Sequence, residues 1–527
     1  KDFFGESTFE DCISLVNVNF AEGLATLPER TFYNCTSLKW DSEKFLPSTI
    51  RTIGPEAFGK CTFDKVDIPD RIQVIDEAAF SGCAKLTDFT TTTSLRLIGN
   101  GAFSGCTSLV NIPLYDGLET INDSAFANCT SLVNISVPDT VVYMGNSVFS
   151  GCSALKNVKL TNKLEAATTN MFKKCTSLES IDLSNTRVTS IKSNAFDGCT
   201  ALKEVKWPKD ISSIDNYAFR GCTALTEITF PRSLLTLSRN VFDGCTSLTE
   251  CNLNEGLEVI GVQAFKNCTA LRTLFLPTTA TTIGNEAFYG CKGLDDIIIP
   301  KSVASIGTRI FRNVTDAITV YCEETAPIRN YAFDSNNVIE FKSEILVPDT
   351  VEGLIFDADL YSSNYPSIAE CFNNNEGYLF LHWKNFGIYD DNLTDTFENK
   401  AVSTGSYIFN AAEYANYNPD LAEAGITTPP ALLEHFVTVG YAEQRDISRH
   451  YSVKTYSKEY PNVDGATLIE TYLANRLTDN ADPIEIEIGD VNADGAIDSK
   501  DTIRLMRYIA KDNVSIDLIA SDVNEDG

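Results

Sequence analysis

The 527-residue sequence predicts an α/β solenoid, followed by a small, mostly helical duplicated region and a compact loop-and-helix module. Three observations predict it. Cysteines recur mostly 23 residues apart from Cys12 to Cys291. Two later segments align without gaps at an offset of 53, and near the end acidic residues stand two apart ahead of an apolar helical pattern. The expected boundaries are 1–345, 346–482 and 483–527. A chain of this length exceeds one ordinary domain.

The repeat reads A-F-x-x-C-x-x-L-x-x-I-x-I-P, then a polar turn and a short apolar pair, as in "SAFANCTSLVNISVP" (124–138) and "YAFRGCTALTEITFP" (217–231). In the second copy Leu225, Ile228 and Phe230 fall on one side of a short strand, and Pro231 ends it because proline cannot donate to a ladder. A unit of 23 residues cannot bury its own apolar face, so stacked units must share one core. Thirteen turns at ~4.8 Å give a rod on the order of 60 Å long. Val314 stands where the next cysteine is due, and the pattern decays there.

The cysteine column reads as small buried thiols, with a few disulfides or a metal as the alternatives. Cys251 takes the inward place that Ile228 holds one turn earlier. The outward positions form two columns. One runs from Asn111, Asn134 and Asn157 through Ser180 to Glu204, Glu227 and Glu250, turning from neutral amide to acidic. The other contains Lys159, Asp182, Lys206, Phe275 and Ile298. Sugar-binding surfaces need exposed aromatic platforms, and Phe275 and Trp40 are the candidates here. That scarcity favours a protein ligand over a glycan.

These units resemble the BspA-type leucine-rich repeat of bacterial and protist surface and secreted proteins. The resemblance implies a leucine-rich solenoid used in adhesion or protein recognition, secreted or at the cell surface.

In the middle region Phe356/Phe409, Tyr361/Tyr414, Pro366/Pro419, His382/His435, Trp383/Phe436 and Gly387/Gly440 correspond. "LLEHFVTVGYAEQR" predicts a helix ending near Gly440, and "DLAEAG" predicts another. The paired histidines read as rings packed between helices, with a zinc pair as the alternative. The second copy resembles a short repeat of assorted secreted bacterial proteins, which assigns no function.

"GDVNADGAIDSKD" is spaced as a calcium loop: Asp490, Asn492 and Asp494 at positions 1, 3 and 5, and Gly495 at the sharp turn. The Ala496 carbonyl follows at 7, Asp498 at 9 and Asp501 at 12. The strand-like "DPIEIEI" ahead of it and the aspartate at position 12 resemble a type I dockerin, the module that joins cellulosomal proteins to scaffoldin cohesins. That resemblance implies cohesin contacts at Ser499, Lys500 and Arg507. It also implies a second loop, begun by Asp522, Asn524 and Asp526 and cut short at Gly527, so occupancy of the second loop stays open.

The net charge of −30 excludes a nucleic-acid partner by repulsion, and no run of about 18 apolar residues could span a membrane. The start, "KDFFGESTFEDC", lacks an initiator Met and a signal-peptide pattern, so a processed or trimmed chain is expected. No G-x-S-x-G, H-E-x-x-H or Walker loop occurs. The expectation is therefore a non-catalytic recognition protein. The alternatives are a carbohydrate-active or carbohydrate-binding accessory with its site in 346–482 and, more weakly, an inhibitor or chaperone of neighbouring enzymes.

Overall fold

The computed structural model describes residues 5–343, apart from 21, 41–44, 315–316 and 331–337, and parts of 345–452. It divides into two compact units, Lys1–Ser343 and Glu344–Gly527. The first is a parallel β-solenoid. Each full turn supplies a two-residue strand to one face and, in most turns, a three-residue strand to another. Thr236–Leu237 and Glu227–Thr229 are typical.

The two-residue strands pair in register between successive turns, as Ile214 with Leu237 and Leu237 with Ile260. They form one sheet of six and one of seven strands. The three-residue strands form what we call the ladder face. There the hydrogen-bonded pairing is interrupted: Asn134–Ser136 pairs with Asn157–Lys159, and Ser180–Asp182 with Glu204–Lys206, in separate sheets. The pattern that decays at Val314 does not end the ladder. Ala317–Tyr321 and Val338–Lys342 extend it in parallel.

The helical share of the predicted class lies in the second unit; among the described residues of the solenoid the remaining path is made of turns and loops, apart from one short 3-10 segment, Pro327–Asn330. Two positions per turn adopt left-handed backbone, such as Tyr217 (φ 61°) and Gly221 (φ 71°). The second immediately precedes each cysteine of the column. This explains why Gly or Asn usually stands there, the residues that reach φ > 0 most readily.

The core is built from columns. Ala218, Phe219, Cys222 and Leu225 are fully buried, and the same four places recur from turn to turn. From Phe9 to Phe311 the phenylalanines stack ring on ring, with centroids 5.1–5.9 Å apart. The column cysteines are free thiols, buried from Cys35 to Cys291, whereas Cys12 at its start is exposed. They are also donors. The Cys222 Sγ–H donates to the Phe196 carbonyl one turn earlier at 3.3 Å, and that carbonyl also accepts the Cys199 N–H at 3.1 Å. A carbonyl has two lone pairs, and this arrangement uses both. Burial pushes up the column thiols from Cys35 to Cys268, Cys152 and Cys245 to about 12.

In the second unit each copy of the duplication has helices in matching places. Pro366–Cys371 and Glu376–Asn385 stand in the first copy, Asp420–Glu423 and Pro429–His435 in the second. The last continues as one π-helical turn, Phe436–Gly440, so it ends where the sequence predicts. Aromatic pairs close each copy: Phe356 with Trp383 and Phe409 with Phe436, both at 5.5 Å.

Candidate functional site

The ladder face presents the outward columns much as the alternation predicts. Asn111, Asn134, Asn157, Ser180, Glu204, Glu227 and Glu250 are exposed, and Glu227 and Glu250 are partners in register. Lys159, Asp182 and Lys206 are exposed beside them.

Phe275 is a correction. It is 5% exposed and its register partner Ile298 is 3% exposed, so neither can serve as a surface platform. Phe275, Ile298 and Tyr321 stand side by side on three paired strands, and such an apolar row shields itself across the ladder. Trp40 is likewise no open platform. Its ring lies among Phe45, Phe58 and Phe63, and its Nε1–H donates to the Asp67 carbonyl at 3.2 Å.

Sequence reasoning missed a shallow trough of about 570 Å³ on this face. It surrounds the pair Asn134–Ser136 and Asn157–Lys159, where the ladder is interrupted. Ile112, Ile135 and Val158 form its apolar floor; Asn111, Asn134, Asn157, Lys156, Lys159, Ser180 and Asp182 contribute the polar lining. Val158 is half-buried, whereas Ile135 and Ile181 in neighbouring turns are buried. The Asn157 Nδ2–H donates to Asn134 Oδ1 at 2.6 Å, leaving the other amide atoms of the pair facing outward. Asp182 accepts from the Ser184 hydroxyl at 2.6 Å, and this bond holds its carboxyl below the usual range, helped by Lys206. The one signal for the trough in the sequence is Pro113, which interrupts the pattern just where the ladder is reduced to a single bridge at Asn111.

The paired histidines are packed rings. His382 Nδ1 and the Tyr361 hydroxyl share a hydrogen bond of 2.6 Å, and His435 Nδ1 and Tyr414 one of 3.0 Å, each pair 21 residues apart. No cluster of metal-ligating side chains occurs among the described residues. The calcium-loop residues Asp490, Asn492, Asp494, Ala496, Asp498, Asp501, Asp522, Asn524 and Asp526 lie outside them, as do Ser499, Lys500 and Arg507. No helix of the described residues is long and apolar enough to cross a membrane.

Stacked parallel strands, inward Leu, Phe and Cys columns and an outward ladder define a leucine-rich-repeat solenoid. The family model described as BspA type leucine rich repeat region (6 copies) matches residues 2–133, 73–203, 119–249, 189–319 and 236–354, and the chain belongs to that family. A second model, dockerin type I domain, matches residues 488–527. Among solved structures, the chain is similar to a leucine-rich repeat protein from Bacteroides ovatus. The two are 27% identical over 64% of this chain and 82% of that one, with a TM-score of 0.52. A leucine rich cell surface protein from Faecalibacterium prausnitzii is 23% identical over 56% and 84%, with a TM-score of 0.37. No curated protein matches.

Proposed function

We propose that this protein is a non-catalytic adhesion and protein-recognition protein, secreted or at the cell surface. In this reading a cellulosome-like scaffold holds it through calcium-dependent binding of its dockerin to a cohesin. The solenoid (1–345) is the recognition part and 483–527 the anchor, with the duplicated, mainly helical region 346–482 between them in the chain. The observation that carries the recognition role is the ladder face, whose outward columns and trough offer amides and charges instead of aromatic platforms. The exposed column Glu204, Glu227 and Glu250 belongs to that surface. Both matched families are non-catalytic modules.

For the anchor, the side chains of Asp490, Asn492, Asp494, Asp498 and Asp501 and the Ala496 carbonyl would hold one Ca²⁺, and Asp522, Asn524 and Asp526 contribute to a second site. Calcium supplies folding energy to a module too small to fold on its own core. Ser499, Lys500 and Arg507 are the assigned cohesin contacts.

The test is binding of the full chain to immobilised cohesins in calcium, repeated after chelation and with Asp494→Ala. Binding lost in both arms is the expected result; binding that survives chelation overturns the anchor. Turnover of any member of a plant-polysaccharide panel overturns the non-catalytic reading and favours an accessory with its site in 346–482.

A further inference from the structure

The trough brings two positive charges together on the face of an acidic chain. Lys156 and Lys159 both line it, and among the described residues neither has a carboxylate within ion-pair distance. The neighbouring lysines of the same face are engaged: Lys203 with Glu179 at 3.2 Å and Lys206 with Glu204 at 4.0 Å. Asp182, the one acid in the lining, accepts from the Ser184 hydroxyl and N–H through Oδ1, and its charge is held beside Lys206. Two free ammonium groups therefore flank Asn157 above a partly apolar floor, in a molecule whose net charge is −30.

We infer that the trough binds an extended acidic peptide segment of a partner protein, with its carboxylates on Lys156 and Lys159. This rests on the protein-recognition reading given above. A peptide fits better than an acidic glycan for two reasons. The Asn134–Asn157 pair leaves one amide donor and one amide acceptor outward, the complement of a peptide group's carbonyl and N–H. No aromatic ring is among the lining residues, so a sugar ring has nothing flat to lie on. The half-buried Val158 gives an apolar contact between the two lysines. Beyond Ser180 the outward column turns to Glu204, Glu227 and Glu250, which repel an acidic segment and confine it to the trough.

The test uses the full chain and a fluorescent peptide of alternating Glu and Val, titrated by anisotropy. A Lys–Val peptide and an oligogalacturonate serve as comparison probes. Saturable binding of the Glu–Val peptide is expected, weakened about tenfold by the double substitution Lys156→Gln with Lys159→Gln and by raised salt. Lys292→Gln, an exposed lysine in a turn, should leave it unchanged. Circular dichroism of the double variant checks that the rod is intact. Three outcomes overturn the inference: no binding of the Glu–Val peptide, binding that the double variant retains, or tighter binding of oligogalacturonate than of peptide. The first two outcomes overturn the acidic-peptide assignment alone, tighter binding of oligogalacturonate also counts against the protein-recognition reading, and none of them touches cohesin binding.

Discussion

Both units of this protein are made by repetition, but they use it differently. In the solenoid a turn is unfinished: each phenylalanine of the column stacks on its neighbours, and each column thiol from Cys35 to Cys291 donates to a carbonyl of the turn before. In the duplicated region each copy keeps a Tyr–His hydrogen bond and an aromatic pair of its own. A shared core passes a perturbation to the adjoining turns, whereas a core closed within one copy confines it.

The largest test of that difference is alkaline pH. A thiol held neutral by burial, with its native value above the ordinary 9.0, stabilises the fold fully below pH 9. That stability is lost as pH rises from 9 towards about 12, the value for Cys152 and Cys245. At one unit above 9 the loss is about 1.4 kcal/mol for each such thiol, and it accumulates down the column. Urea midpoints of the solenoid at pH 7.5 and pH 10 check this; equal midpoints would sink it. The duplicated copies, whose single described cysteine Cys371 is only partly buried, should change far less.

Next in size is Phe172→Ala. It removes a fully buried ring stacked between Phe149 and Phe196 and should cost about 3–5 kcal/mol. Hydrogen exchange should rise in the turns on both sides. Exchange confined to the substituted turn would break the comparison. Tyr361→Phe is the counterpart in the second unit, leaving buried His382 without its hydroxyl partner, at about 1–3 kcal/mol. Faster exchange there should stop at the first copy and leave the Tyr414–His435 pair protected. The smallest effect belongs to Lys203→Ala on the rod surface. Its pair with Glu179 is exposed on both sides, so a change of about 0.2–1 kcal/mol is expected in the same denaturation assay.

Much of this was legible in the sequence because it repeats. The 23-residue spacing gives the turns, the Phe and Cys columns follow from it, and the 53-residue offset pairs Tyr361 with Tyr414 and His382 with His435. What was not legible depends on neighbours across turns. The Sγ–H bonds need a carbonyl that only stacking brings within reach of the thiol. Alternation puts Phe275 in the outward column but says nothing of its burial, which depends on surroundings distant in the chain, its register neighbours Ile298 and Tyr321 standing 23 and 46 residues later. The trough exists because a ladder is interrupted, and the sequence marks that only by Pro113.

The doubly used phenylalanine carbonyls carry a mechanical consequence. They tie each turn to the next by bonds directed along the rod, so the solenoid resembles a coiled rope whose loops are stitched together singly. Under tension applied at one end, loops should come free one at a time. Each release adds roughly 75–80 Å of contour from its 23 residues, and the loops further along stay closed. A protein tethered at one end and gripping a partner through its face would then yield by lengthening before it let go.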